Sequence, residues 1–129
     1  MMKRIALALI AAVTLTACSS TGSAITNLNS TEFSAKTQEA GVVILDVRTA
    51  GEFMTGHIAG AINIDVEATT FDNQIAELDK TKTYAVYCHS GRRSGIATAA
   101  MEKAGFTSMF NLTNGVADWI ATGLPLVTT

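Results

Sequence analysis

Proline is almost missing from this chain, occurring once in 129 residues. That excludes a proline-rich recognition module. Aromatic residues make up only 6%, too few for a platform on which bases stack. Charged residues amount to 16% with a formal net charge of −2, and no basic stripe interrupts them, so nucleic acid is not an expected partner. No internal repeat is visible. The uncharged run from Ile5 to Ala17 falls short of the ~20 apolar residues that span a bilayer. Cysteine occurs twice, at Cys18 and Cys88, and no Cys-x-x-Cys pair exists. A metal site built on Cys88, His89 and His57 is not expected, because adjacent Cys and His seldom point at one ion.

The apolar share, 48%, is ample for one folded core, and the length suits a single domain. Part of that share sits at the N-terminus. Lys3 and Arg4 precede the small, apolar run of residues 5–17, the pattern of a secretory signal. Its end, Leu15-Thr16-Ala17-Cys18, resembles the lipobox of bacterial lipoproteins. The resemblance implies cleavage before Cys18 and lipidation of its thiol; several acyl chains anchor where a single chain would not. The expected organisation is a lipoprotein signal peptide over 1–17, the lipidated Cys18 with a flexible tether over 18–29, and a folded domain over 30–129. The expected place is the periplasm, anchored to the cell envelope, with Ser19 in place of Asp favouring the outer membrane. Without residues 1–17 the chain keeps seven basic and eleven acidic residues, a net of −4. With Cys18 lipidated, Cys88 has no disulfide partner, and an unpaired thiol in an oxidising compartment is a liability unless it is used or buried.

From Ser30 onward, strand and helix patterns alternate. Ser30 can cap a short helix that runs through Gln38. Val42-Val43-Ile44-Leu45 is a continuous apolar run, as in a strand covered on both faces. Thr49 and Glu52 have the spacing of a capping box. Ala61 to Ile64 is a second short strand, and Phe71 to Leu78 carries helical apolar spacing. Thr83 to Tyr87 is a third strand, Ser94 to Ala104 a small-residue helix stopped by Gly105, Ser108 to Asn111 a weaker strand, and Asn114 to Ala121 a last helix. This alternation predicts an α/β fold: a small parallel sheet with helices on both faces. Sites in such folds lie at the carboxyl ends of strands, where Cys88 falls.

Cys88-His89-Ser90-Gly91-Arg92-Arg93-Ser94 joins strand to helix. Loop N–H groups can curl round the sulfur, Gly91 permits a tight cradle, and the two arginines favour a thiolate. An activated sulfur nucleophile beside an anion pocket suits attack on an anionic electrophile. Oxyanions of sulfur and of phosphorus both fit.

This loop resembles the active-site loop of the rhodanese superfamily. Asp46-Val47-Arg48 resembles that family's Asp-x-Arg, and Glu52-Phe53-x-x-Gly56-His57-Ile58-x-Gly60-Ala61-x-Asn63-Ile64 is similar to its best-known signature. Asn114-Gly115-x-x-x-Trp119 resembles its C-terminal Gly-Gly-x-x-x-Trp, with Asn replacing the first Gly. The likeness covers about residues 30–125 and implies the rhodanese-like three-layer fold. Sulfurtransferases of the superfamily carry a loop of six residues from the cysteine; related phosphatases and arsenate reductases carry one more and end as Cys-x5-Arg. Here Arg93 stands at Cys-x4-Arg, which favours sulfur transfer.

The resemblance implies a Cys88 persulfide, formed from thiosulfate or a persulfide donor and discharged to cyanide or a thiol, with no cofactor and no metal. Cys88 is the catalytic residue. His89, Ser90, Gly91, Arg92, Arg93 and Ser94 form the substrate cradle, with the arginines on the donor's sulfonate. Asp46 and Arg48 pair with each other or with loop backbone and support the site. His57 is a hydrogen-bonder that holds loops. His89 replaces the Arg often found after the cysteine in thiosulfate-using relatives. That keeps a second expectation open, a sulfur-carrier or protein-binding module at the membrane without turnover. A monomer is expected.

Overall fold

The computed structural model describes residues 22–129. The signal-peptide and Cys18 expectations lie outside these residues. Five strands form one sheet: β1 (Ile25–Leu28), β2 (Val42–Asp46), β3 (Ile62–Asn63), β4 (Thr83–Tyr87) and β5 (Met109–Leu112), in the order β1-β5-β4-β2-β3. All neighbours pair in parallel. Five helices connect them: α1 (Ser30–Thr37), α2 (Ala50–Thr55), α3 (Phe71–Ala76), α4 (Arg92–Lys103) and α5 (Gly115–Ala121).

Alternation along the strands sends side chains into two cores, one on each face. Leu45, Tyr84, Val86 and Met109 pack with Phe71 and Ile75 of α3 and Ala97 and Met101 of α4. Ile44, Ala85, Tyr87 and Leu112 pack with Phe33 of α1 and Val116 and Trp119 of α5. The fully buried Phe33, Leu45 and Met101 each contribute roughly 1.5–3 kcal/mol of transfer free energy. The result is the three-layer α/β architecture expected from the alternation of elements.

Near the start of the described residues, two readings differ from expectation. Residues 25–28, read as tether, form the edge strand β1, in register with β5 from Ile25↔Met109 to Leu28↔Leu112. Ile25 packs into one core and Leu28 into the other. A spacing of three puts one apolar side chain on each face, so the period-two signature of a half-buried strand never shows. The backbone of Ala24 and the hydroxyl of Ser23 also donate to Glu102 of α4, at 2.8 and 2.9 Å. The cap of α1 is Asn29, whose Oδ1 accepts from Glu32 N at 2.9 Å. Ser30 instead donates to Asp118 at 2.6 Å and ties α1 to α5.

Registers at the sheet's carboxyl edge position the chemistry. β2 and β4 run level from Val42↔Thr83 to Asp46↔Tyr87. Val47 and Cys88 therefore emerge level, just past the central strands, with Arg48 one residue farther on. Beyond α5 the chain folds back: Trp119 Nε1 donates to the Pro125 carbonyl at 2.9 Å. Val127 and His57 exchange two backbone hydrogen bonds of 2.8 Å.

Candidate active site

Cys88 is the first residue after β4, and the chain turns at once into a loop closed by α4. α4 starts at Arg92, two residues earlier than expected, because Gly91 takes the cap position with φ +99°. No side chain caps this helix, and the cap's own conformation is one that L side chains rarely adopt. A Cβ on Gly91 would lie 1.8 Å from the Thr113 carbonyl oxygen, and one on Gly115 2.2 Å from that of His89. Both glycines are therefore dictated by how closely the loop meets the start of α5. The N–H groups of Val116 and Ala117 donate to the carbonyls of Cys88 and His89 at 2.9 and 3.1 Å. With those carbonyls turned outward, the loop's own N–H groups turn toward the sulfur.

The Cys88 side chain is almost closed off, with the residue 1% exposed. Gly91 N donates to Sγ at 3.1 Å. Ser94 Oγ lies 3.4 Å from Sγ and 3.2 Å from the Gly91 carbonyl. A protonated thiol donates to Ser94 Oγ, whose hydroxyl in turn donates to the Gly91 carbonyl oxygen. A thiolate instead receives the Ser94 hydroxyl. Burial alone pushes the thiol up, but the Ser94 hydroxyl and the N–H groups of Ser94, Gly91 and Ser90 outweigh it. Cys88 stands below the ordinary thiol value, the direction a sulfur nucleophile needs.

Past the end of β2 lies a buried ion pair. Arg48 donates through Nε and Nη2 to Asp46, at 3.0 Å to Oδ1 and 2.6 Å to Oδ2, and its backbone N–H donates to Oδ1 at 2.9 Å. Nη2 also reaches the Gly56 carbonyl at 2.7 Å. Tyr87, whose hydroxyl accepts from Ile58 N at 3.0 Å, completes the cluster. Burial and the Asp46 charge hold Tyr87 far above the ordinary phenol value, so it stays neutral. Asp46 and Arg48 thus pair with each other and hold the turn at Gly56. Asn63 Nδ2 ties the same corner, donating to the carbonyls of Asp46 and Arg48 at 3.0 and 2.9 Å.

His57 is buried and stacks on Phe53 at 3.7 Å. Its ring nitrogens face the carbonyl oxygens of Phe53 and Thr129 at 2.8 and 2.9 Å. It lies outside the cradle and joins α2 to the C-terminal segment.

Arg93 does not stand free for a donor's sulfonate. Its Nη1 and Nη2 donate to the two carboxylate oxygens of Glu52 at 2.7 and 2.9 Å. Arg93 holds the Glu52 carboxyl down at about 2. Glu52 also closes the capping box of α2 with Thr49. The residue types announced that box; the partner across 41 positions did not show. His89, Ser90 and Arg92 are exposed, and Arg92 has no ion-pair partner among the described residues. A cleft of about 380 Å³ opens beside the loop, lined by Arg48, Glu52, Gly56, His89, Ile120 and Leu126 among others. Among the described residues, no three His, Cys, Asp or Glu side chains gather to hold a metal ion.

A family model described as Rhodanese-like domain matches residues 29–122. The chain is 34% identical to the Uncharacterized protein YibN of Escherichia coli over 123 residues, 94% of this chain and 85% of that one. It is 31% identical to a protein named Sulfurtransferase of Allochromatium vinosum over 86 residues, 67% of this chain and 78% of that one. Among solved structures, a rhodanese-related protein of Thermoplasma volcanium superposes with a TM-score of 0.70 at 28% identity, covering 80% of this chain and 98% of that one.

Proposed function

The chain belongs to the rhodanese-like family, and from that premise we propose that it is a sulfurtransferase working through a persulfide on Cys88. The observation that carries this is the cradle: a buried sulfur receives N–H and O–H donors from Gly91 and Ser94 and sits below the ordinary thiol value. Cys88 thiolate attacks the sulfane sulfur of thiosulfate or a persulfide. The donor's S–S bond breaks, and sulfite or a thiolate leaves with the bonding pair. The Cys88 persulfide then loses its outer sulfur to cyanide or a thiol, and the thiolate returns. Charge is conserved in both steps, and neither needs an oxidant. The loop N–H groups offset the negative charge on the sulfur throughout. Arg92 is the loop cation without an ion-pair partner among the described residues and would meet an anionic donor.

The test is mass spectrometry of the Cys88 peptide after exposure to thiosulfate or an alkyl persulfide, with thiocyanate release on adding cyanide. Gain of one sulfur atom, absent in Cys88→Ser, is expected. Folded, reduced protein that neither donor loads would sink the proposal. Loading without turnover would favour a sulfur carrier, the reading that His89 and the engaged Arg93 keep open.

The same proposal places the protein in the periplasm, held to the envelope by lipid on Cys18. The support is the run of residues 5–17 ending at Leu15-Thr16-Ala17-Cys18. Cys18→Ser should move the protein from the membrane to the soluble fraction of the producing cell.

A further inference from the structure

Two guanidinium groups, Arg48 on the cleft wall and Arg93 in the first turn of α4, are each matched by a carboxylate. Arg48 is taken by Asp46, and Arg93 is gripped at both terminal nitrogens by Glu52. The grip is a two-point fork in which each carboxylate oxygen takes one N–H, the arrangement by which arginine receives an oxyanion. Glu52 thus occupies the place on Arg93 that a substrate's oxygens would take. Glu52 also lines the cleft together with His89, the neighbour of Cys88. A donor entering there meets the Glu52 carboxylate, which already neutralises the charge of Arg93.

We propose that Glu52 is a specificity determinant that limits the negative charge a sulfur donor can carry, so that monoanionic or neutral organic donors are accepted ahead of a dianion such as thiosulfate. This rests on the sulfurtransferase reading above. The rest of the cleft agrees. Val116, Ile120 and Leu126 give it an apolar wall, and its volume suits an organic substituent. Because Arg93 holds the Glu52 carboxyl at about 2, the charge persists at every pH at which the enzyme would work.

Glu52→Gln removes the charge and keeps the shape. Glutamine serves at this position of a capping box, so α2 retains its start. Glu52→Asp keeps the charge and shortens the arm. Two pairs of probes differ by one charge at matched chemistry. Thiosulfate and methanethiosulfonate both offer a sulfane sulfur; the thiolate takes it, and sulfite or methanesulfinate leaves with the bonding pair. Iodoacetate and iodoacetamide both alkylate the thiolate, with iodide leaving, and need no sulfurtransferase activity.

In each pair the ratio of rates at Cys88 cancels any change in thiolate fraction. Glu52→Gln is expected to raise the ratio of the more negative probe to the less negative one about tenfold in both pairs. Glu52→Asp should stay close to the parent ratio. Ratios unchanged in Glu52→Gln, with or without an equal loss of both rates, would overturn the proposal and leave Glu52 a structural residue. A shifted alkylation ratio in a protein that neither sulfur donor loads would uphold the charge role and refute the sulfurtransferase reading.

Discussion

Replacing Gly115 by alanine adds one methyl group at the point where the Cys88 loop leans on α5. Its Cβ would stand 2.2 Å from the His89 carbonyl oxygen and 2.5 Å from Ser90 N. Ordinary contact begins a full ångström farther out, so the loop or the helix start must move by about 1 Å. Such a shift breaks the bonds from Val116 N to Cys88 O and from Ala117 N to His89 O. Two backbone hydrogen bonds at about 1 kcal/mol each, plus about 1 kcal/mol for alanine at φ +68°, give a loss of about 3 kcal/mol. For a domain of this size that is a fall in Tm of about 10–20 °C. The chemical effect should be larger, because misplacing a reacting group by ~1 Å can cost about 100-fold in rate. Thermal unfolding followed by circular dichroism reads the first, and the rate of Cys88 loading by a persulfide donor reads the second. A variant that melts within about 2 °C of the parent and loads at the parent rate would refute the reasoning about this contact.

Three further outcomes are expected. The rate of Cys88 alkylation by iodoacetamide should climb with pH to a plateau, with its midpoint below that of a free thiol, since the thiolate reacts and its cradle stabilises it. Ser94→Ala should move that midpoint upward, whereas Ser90→Ala should leave it near the parent value, because Ser90 contributes its backbone N–H. Asp46→Asn should cost about 3–5 kcal/mol in urea unfolding, since it strands the buried Arg48 charge; a loss under about 1 kcal/mol would show that Arg48 finds another anion or water.

Much of the fold was legible because local signals were strong. The apolar run Val42–Leu45 announced a strand buried on both faces, and Thr83–Tyr87 became β4 at the expected residues. Thr49 and Glu52 close the capping box that their spacing predicts. Cys88 fell at a strand's carboxyl end for the same reason. What escaped was carried by contacts distant in sequence. β1 owes its place to backbone pairing with β5 and to bonds with Glu102, none of which marks residues 25–28 themselves. The cap of α4 must be the glycine at 91 because Thr113 crowds that position, a fact written 22 residues away. Glu52 read as a helix cap, and its grip on Arg93 needed the sheet to bring α2 beside α4. The return of the chain over Gly56 and His57 at Leu126 and Val127 likewise had no local signature.

The near-complete burial of Cys88 bears on regiochemistry. In a persulfide the two sulfurs are both open to attack in principle, and the products differ. Attack on the inner atom would release hydrosulfide and leave the acceptor joined to the protein as a mixed disulfide. The inner atom is Sγ itself, walled in by Gly91 and Ser94 on a residue 1% exposed. In a Cys88 persulfide the outer atom would stand one S–S bond farther from these donors and would be the more open of the two to an incoming nucleophile. On the proposed sulfurtransferase reading, the pocket that activates the thiol would thereby direct an acceptor to the transferable sulfur and guard the protein against being trapped as an adduct of that acceptor.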